Sequence, residues 1–273
     1  MRIRIVDAFT DRAFTGNPAG VMLLDSFPDD DRMRSIAAEV NHPETAFARP
    51  LTAAEAEERG ADWALRWFTP LTEVDMCGHA TLATAHVLHA TGTASGTVRF
   101  AARCGVLVTT AHADGPVTMD FPTAPLTATT VPEGLPDALG AEPLTVLDTG
   151  PHVGDLLVEL ADEKTVRGLA PDLAEVARLS RRGVIATARA EDPARGYDYV
   201  SRGFFPNVGI DEDHVTGSAH TALAPFWSGR LGRTDLTGWQ ASARGGSVRT
   251  AVRGGRTLLT GRAVTVIDGE LLA

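Results

Sequence analysis

The order of segments in the first half of the chain recurs in the second half, and this constrains the possible fold more than any other feature. In the first half, Gly16-Asn17-Pro18 reads as a turn followed by the apolar run Val21-Met22-Leu23-Leu24. In the second, Gly150-Pro151-His152 is followed by Leu156-Leu157-Val158. Both read as strand, tight turn, strand. A second match comes further along each half. Trp67-Phe68-Thr69-Pro70 leads to Cys77-Gly78-His79-Ala80 and then to the helical run Thr81 to His89. Phe204-Phe205-Pro206 leads to Thr216-Gly217-Ser218-Ala219 and then to His220 to Trp227. One match is within reach of chance; two in the same order point to an internal duplication. Two pseudo-symmetric α/β domains are therefore expected, with the matched turns lining a cleft between them, where ligands usually bind.

The length of 273 residues suits two compact domains better than one. The Pro- and Thr-rich stretch from Phe121 to Pro125, continuing from Thr127 to Pro136, lacks helical periodicity and marks the boundary. It gives an N-terminal domain over 1–122 and a C-terminal domain over 123–262, with the closing strand at about 263–273 able to return to the first. Asp29 to Val40 fits a helix with Met33, Ile36, Ala37 and Val40 on one face, and Glu44 to Ala48 a short strand after the helix-stopping Pro43. Pro171 to Leu179 reads as a helix with Asp172 in its first turn. Short strands are expected at Val248 to Val252, Thr257 to Leu259 and Ala263 to Ile267.

A net charge of −10 argues against a nucleic-acid or anionic-membrane partner, since both need a basic surface. No run approaches the roughly 20 apolar residues that span a bilayer, and the opening Met1-Arg2-Ile3-Arg4-Ile5-Val6 lacks the h-region of a signal peptide. Two cysteines, Cys77 and Cys104, make no disulfide framework, so a cytoplasmic protein with free thiols is the simplest expectation.

Each matched turn precedes an apolar helix. The first N–H groups of a helix have no intrahelical partner and the dipole is positive there. Glycine lets a ligand approach the backbone. Two such ends would suit a carboxylate or an enolate oxygen, although Gly78 and Gly217 would also serve plain helix–strand packing. Glu44, in Asn41-His42-Pro43-Glu44-Thr45-Ala46-Phe47-Ala48, opens an otherwise apolar strand. It is either a solvated strand end or a carboxylate closed into a cleft, where desolvation prepares such a group for acid/base work near neutrality. Asp213, in Asp211-Glu212-Asp213-His214, fits helix capping as well as a site role. Ser218 and His79 fit first-turn residues bonded only to backbone.

The segments "VDAFTDRAFTGNPAGVMLL", "NHPETAFA", "RWFTPLTEVDMCGHATLATAHVL", "FFPNVGIDEDHVTGSAHTAL", "ARGG" and "LTGRAVTVIDGEL" together resemble, in order and over essentially the whole chain, the PhzF-like (phenazine-biosynthesis-like) isomerase family. The resemblance implies a diaminopimelate-epimerase-like α/β (α+β) fold, each domain a curved sheet wrapped around a central helix. It also implies no metal and no organic cofactor, and commonly a homodimer. By position, Glu44 matches the acid/base, Asp213 and His79 match polar groups around the reacting carbons, and Gly78, Gly217, Ser218 and Asn17 match the substrate-holding residues. His214 stands where the family usually has proline; at a helix N1 position proline is pre-organised, so histidine there adds an N–H donor and a titratable ring.

The resemblance implies a cofactor-independent isomerase that moves a proton between carbons of a small carboxylate-bearing substrate, in secondary metabolism. The first rival is a cysteine-type amino-acid racemase or epimerase of the same fold, because "MCGH" around Cys77 is similar to the proline-racemase thiol segment. Two-base racemisation needs a second acid/base, and the second half offers Thr216; Cys104 falls in an expected strand of the first half. The second rival is a non-catalytic small-acid-binding dimer. A hydrolase lacks the Gly-x-Ser-x-Gly elbow around Ser218. His86 and His89, one turn apart on a very apolar helix, read as packing residues rather than metal ligands.

Overall fold

Strand pairing in the computed structural model, which describes residues 1–272, repeats the same scheme twice. The chain divides into two compact units, one made of Met1–Asp120 and the C-terminal segment that starts at Thr260, the other of Phe121–Leu259. In the first unit β1 (Arg2–Ala8) pairs antiparallel with β2 (Asn17–Leu23), and α1 (Asp30–Val40) leads to β3 (Glu44–Pro50), which runs parallel to β2. After α2 (Ala53–Arg59), β4 (Trp63–Phe68) pairs antiparallel with β3 and with the two-residue β5 (Glu73–Val74). The helix α3 (Gly78–Ala90) then returns the chain to β6 (Thr97–Ala102), parallel to β4. The hairpin partner β7 (Gly105–Ala111) and then β8 (Val117–Pro122) follow.

The second unit opens with β9 (Thr127–Ala128) and α4 (Leu135–Leu139) and then runs the same programme. Strand β10 (Thr145–Asp148), the single helical turn α5 (Gly150–Val153) and β11 (Asp155–Glu159) stand where β1 and β2 stand in the first unit. Helices α6 (Glu163–Gly168) and α7 (Leu173–Leu179) lead to β12 (Gly183–Arg189), parallel to β11 as β3 is to β2. Strands β13 (Tyr199–Phe205) and β14 (Ile210–Asp213), helix α8 (Gly217–Leu231), and strands β15 (Asp235–Gln240) and β16 (Gly246–Arg253) repeat β4 to β7, including the parallel β13–β15 pair. After β17 (Arg256–Gly261), β18 (Ala263–Glu270) lies antiparallel to β1, with Ile5 opposite Ile267.

Alternation along the strands sorts side chains to two faces. In β11, Leu157 enters the core built around α8 with Tyr199, Phe205, Leu223 and Trp227. Its neighbour Val158 enters a second core with Leu135, Leu139, Val176 and Val184, under α4 and α7. In the first unit Met22 and Phe47 pack with Met33, Ile36 and Ala37 of α1. Helices α3 and α8 are buried almost all round, as helices without a polar face must be. Each unit is thus a sheet around a central helix, the diaminopimelate-epimerase-like arrangement.

Four local expectations need correction. Asn17 and Pro18 already belong to β2; only Gly16 is in the turn, at φ 70°, where a Cβ would meet the Ala8 carbonyl oxygen at 2.2 Å, so glycine is required there. Gly150–Val153 is a helical turn rather than a tight one, because Pro151 presets helical φ and Asp148 accepts from the Gly150 N–H at 2.7 Å. Asp172 is the N-cap of α7, accepting from the Ala174 and Glu175 N–H groups, rather than a first-turn residue. Cys104 is exposed in the turn between β6 and β7, not in a strand. Among the described residues no helix is long and apolar enough to cross a membrane.

Candidate active site

The first unit gathers Asn17, Glu44, Cys77 and His79, all buried. Three local features place them. Helix α1 ends at Asn41 in the left-handed region, φ 51°, whose N–H bonds to the Ala37 carbonyl at 3.0 Å. Pro43 cannot continue the helix, so Glu44 becomes the first residue of β3, opposite Ala19 of β2. Asn17 opens β2 after the Gly16 turn. Cys77 is the N-cap of α3 but takes no capping bond from the first turn, so His79 lies in a helix start that no N-cap side chain closes.

Glu44 is only 8% exposed and His79 5%. The imidazole sits between a carboxylate on one side and a thiol and an amide on the other. Its Nε2 is 3.3 Å from Glu44 Oε2, while Nδ1 is 3.2 Å from Asn17 Nδ2 and 3.5 Å from Cys77 Sγ. An amide NH2 and a thiol are both donors, so Nδ1 accepts and the proton of a neutral ring is on Nε2, toward Glu44. A buried carboxylate 3.3 Å from an imidazole nitrogen is equipped to take up and return a proton.

Glu44, Cys77 and His79 also offer ligand atoms within 4.8 Å of one another, close enough for an ion. The ring turns one nitrogen to the thiol and the other to the carboxylate. The nitrogen on the thiol side already accepts from the Asn17 amide at 3.2 Å, which places a donor N–H where an ion bound at that nitrogen would have to sit.

The second unit holds the other named residues. Asp213 ends β14 and its Oδ2 accepts from Thr216 Oγ1 at 2.7 Å. Gln240 clamps this entry to α8: its Oε1 accepts from the Thr216 N–H at 2.8 Å and its Nε2 donates to the Asp213 carbonyl at 2.8 Å. Thr216, the N-cap of α8, occupies the place that Cys77 has in the first unit, and Gly217 and Ser218 those of Gly78 and His79. His214 lies two residues before that N-cap, so it is not at N1, and the reasoning from a helix-start proline does not apply to it. Its carbonyl accepts from Ser242 Oγ at 2.7 Å.

Sequence reasoning missed Asp155 and Arg182. Asp155 opens β11 and is 1% exposed. Arg182 Nε is 3.2 Å from its Oδ1. Burial outweighs the nearby Arg182 and Arg181 charges and pushes the Asp155 carboxyl up to about 7. The signal was available: like Glu44, Asp155 is a charged residue at the head of an apolar strand. A buried Tyr199 OH lies 2.9 Å from His220 Nδ1 deeper in the same unit. Burial holds that imidazole neutral, with a pKa down to about 3, and raises the phenol, so this pair belongs to the core rather than to proton transfer near neutrality.

A family profile described as phenazine biosynthesis-like protein matches residues 6–269. The chain is 48% identical to an uncharacterized isomerase of Pseudomonas aeruginosa, over 97% of this chain and 96% of that one. A PhzF family crystal structure from Enterococcus faecalis superimposes with a TM-score of 0.90 at 37% identity, covering 100% of this chain and 99% of the other. A hydroxyproline epimerase of Agrobacterium vitis shares the fold alone, with a TM-score of 0.55 at 14% identity over 98% and 91% of the two chains. The chain belongs to the phenazine biosynthesis-like family, and as a member it is an isomerase.

Proposed function

We propose that the chain is a cofactor-independent isomerase that moves a proton between carbons of a small carboxylate-bearing substrate. Glu44 is its acid/base. The observation that carries this reading is the buried Glu44 carboxylate 3.3 Å from His79 Nε2 beside the start of α3. Glu44 removes a proton from an activated carbon, and the electron pair left behind delocalises into the adjoining unsaturated or carbonyl system. Glu44 then returns the proton at another carbon, so the step is redox-neutral and needs no co-reactant. His79 sets the polar surroundings of the carboxylate, its Nε2 lying 3.3 Å away. The helix starts at Gly78-His79 and Gly217-Ser218 hold anionic oxygens, Asp213 orients the substrate, and Asn17 fixes the His79 ring. A homodimer in the cytoplasm, acting in secondary metabolism, completes the reading.

The test is substrate-dependent exchange of carbon-bound hydrogen with solvent deuterium, using a panel of small unsaturated and amino acids. Glutamine keeps the shape of Glu44 but cannot cycle a proton, so Glu44→Gln should lose about 10²–10⁴-fold in exchange. Exchange near the wild-type rate in a folded Glu44→Gln protein would show that another group is the base. One observation favours a second reading, a cysteine-type epimerase: Cys77 Sγ is 3.5 Å from His79 Nδ1, within reach of a base that would make it a thiolate. Thr216 at the matching place in the second unit weighs against a two-thiol mechanism, since a hydroxyl is no base near neutrality.

A further inference from the structure

The second unit buries a carboxylate of its own, and the proposed reaction does not use it. In the first unit the acid is Glu44, the first residue of β3, in register with Ala19 of β2. The matching register in the second unit pairs Gly183 of β12 with Asp155 of β11. The acid has moved to the neighbouring strand. The reason is steric: a Cβ on Gly183 would lie 2.1 Å from the Phe204 carbonyl oxygen and 2.5 Å from Phe205 Cδ1, so the position that carries Glu44 in one unit admits no side chain in the other.

The consequences differ too. Glu44 meets the helix-start residue His79 directly, whereas Asp155 reaches the corresponding Ser218 through Arg182. Arg182 Nε lies 3.2 Å from Asp155 Oδ1, and its two amino groups donate to the Val153 carbonyl at 3.2 Å and to Ser218 Oγ at 3.1 Å. The guanidinium is stacked over the Phe205 ring at 4.5 Å. Thr149 pins the backbone of Asp155, donating through Oγ1 to its carbonyl at 2.8 Å and accepting its N–H at 2.9 Å. Neither Asp155 carboxylate oxygen receives a hydrogen bond among the described residues. A buried carboxylate with one ion-pair contact and no hydrogen bond costs stability, and such groups cluster at functional sites.

Guanidinium groups donate and never accept. Ser218 Oγ is therefore the acceptor in its bond with Arg182, and its own hydroxyl hydrogen has to point elsewhere. No acceptor takes that hydrogen among the described residues. Ser218 is part-exposed on the first turn of α8, and Thr216 at the N-cap closes none of that turn with its side chain. The Arg182 side chain keeps 26% of its surface accessible, so its charge adds to the positive end of the helix.

We propose that Arg182, held by Asp155, is a positioning residue that turns the Ser218 hydroxyl into a fixed outward donor for one oxygen of the substrate carboxylate. It gives the α8 end a specificity for planar carboxylates over neutral or cationic analogues. The proposal rests on the isomerase reading for the substrate being a carboxylate. It differs from a simple charge effect because the guanidinium decides which way the hydroxyl points.

The experiment uses the full chain with benzoate as the probe, following the amide resonances of Gly217 and Ser218 and the dissociation constant. Ser218→Ala and Arg182→Gln should each weaken benzoate at least tenfold, and the double variant should be no weaker than Arg182→Gln alone. The two residues would then act as one unit. Arg182→Lys keeps the charge without the fork, so Ser218→Ala should cost little in that background as well; this pair serves if Arg182→Gln does not fold. Asp155→Asn should weaken benzoate, and benzylamine should bind none of the proteins measurably. Additive losses from Ser218→Ala and either Arg182 variant would overturn the proposal, as would a wild-type protein in which benzoate moves neither resonance. Glu44→Gln should keep the benzoate affinity while losing exchange, so failure of the proton-transfer reading is visible separately.

Discussion

Three side chains around one imidazole decide the chemistry of the first unit, and their separate roles can be tested one at a time. Cys77 reaches His79 only through the nitrogen facing away from Glu44. If it lines the pocket as a small apolar group, Cys77→Ala should keep deuterium exchange within about tenfold of wild type; a loss as deep as the 10²–10⁴-fold assigned to Glu44→Gln would move the base to the thiol. Asp155 has a signature in stability. Its carboxyl rises from 3.8 to about 7 on folding. The folded state therefore holds a proton that the unfolded state has released. The contribution is fully present below the unfolded value and is lost as pH rises through about 7. Relative to Asp155→Asn, wild type should lose roughly 2–3 kcal/mol between about pH 5 and about pH 8, read from urea midpoints at the two pH values. An unchanged difference would mean that the carboxyl is not desolvated.

At the scale of elements, the two parallel strand pairs β2–β3 and β11–β12 carry the functional contrast between the units. Gly183 heads β12 against the Phe204 carbonyl and the Phe205 ring. Gly183→Ala should destabilise the protein by about 1–3 kcal/mol or more through overpacking. Gly168, at the end of α6 with nothing within 4 Å of a built Cβ, is the control: Gly168→Ala should be neutral or stabilising by up to about 1 kcal/mol. Chemical denaturation of the two variants side by side checks both, and equal effects would remove the steric explanation for the displaced acid. Helices α3 and α8 were legible as buried elements because their sequences lack a polar face. The α5 turn was not, because four residues carry no periodicity and the Asp148 bond that shapes it is a tertiary detail.

For the whole molecule, the sharpest expectation concerns metal. Glu44, Cys77 and His79 offer ligand atoms within 4.8 Å of one another, but the Asn17 amide donates to the His79 nitrogen on the thiol side. Elemental analysis of purified protein should find no stoichiometric zinc, iron or manganese, and chelation should leave exchange unchanged; activity lost on chelation and restored by one metal would reverse this. The duplication was readable from the order of turns and apolar runs, since each unit buries the same faces with the same periodicities. Glu44, His79, Asp213 and Ser218 were nameable as site residues because the segments that carry them resemble the family's; local rules alone left each of them open to a solvated strand end, a cap or a first-turn residue. The distances among them were not, because sequence separation says nothing about which side of an imidazole a carboxylate takes. Asp155 and Arg182 show the same limit. Asp155 sits at the head of an apolar strand exactly as Glu44 does, yet what it does depends on an arginine 27 positions away brought beside it by a parallel strand pair. Chain-local physics fixes where strands and helices begin; only the packed sheet decides which charges share a pocket and which hydroxyl an arginine holds.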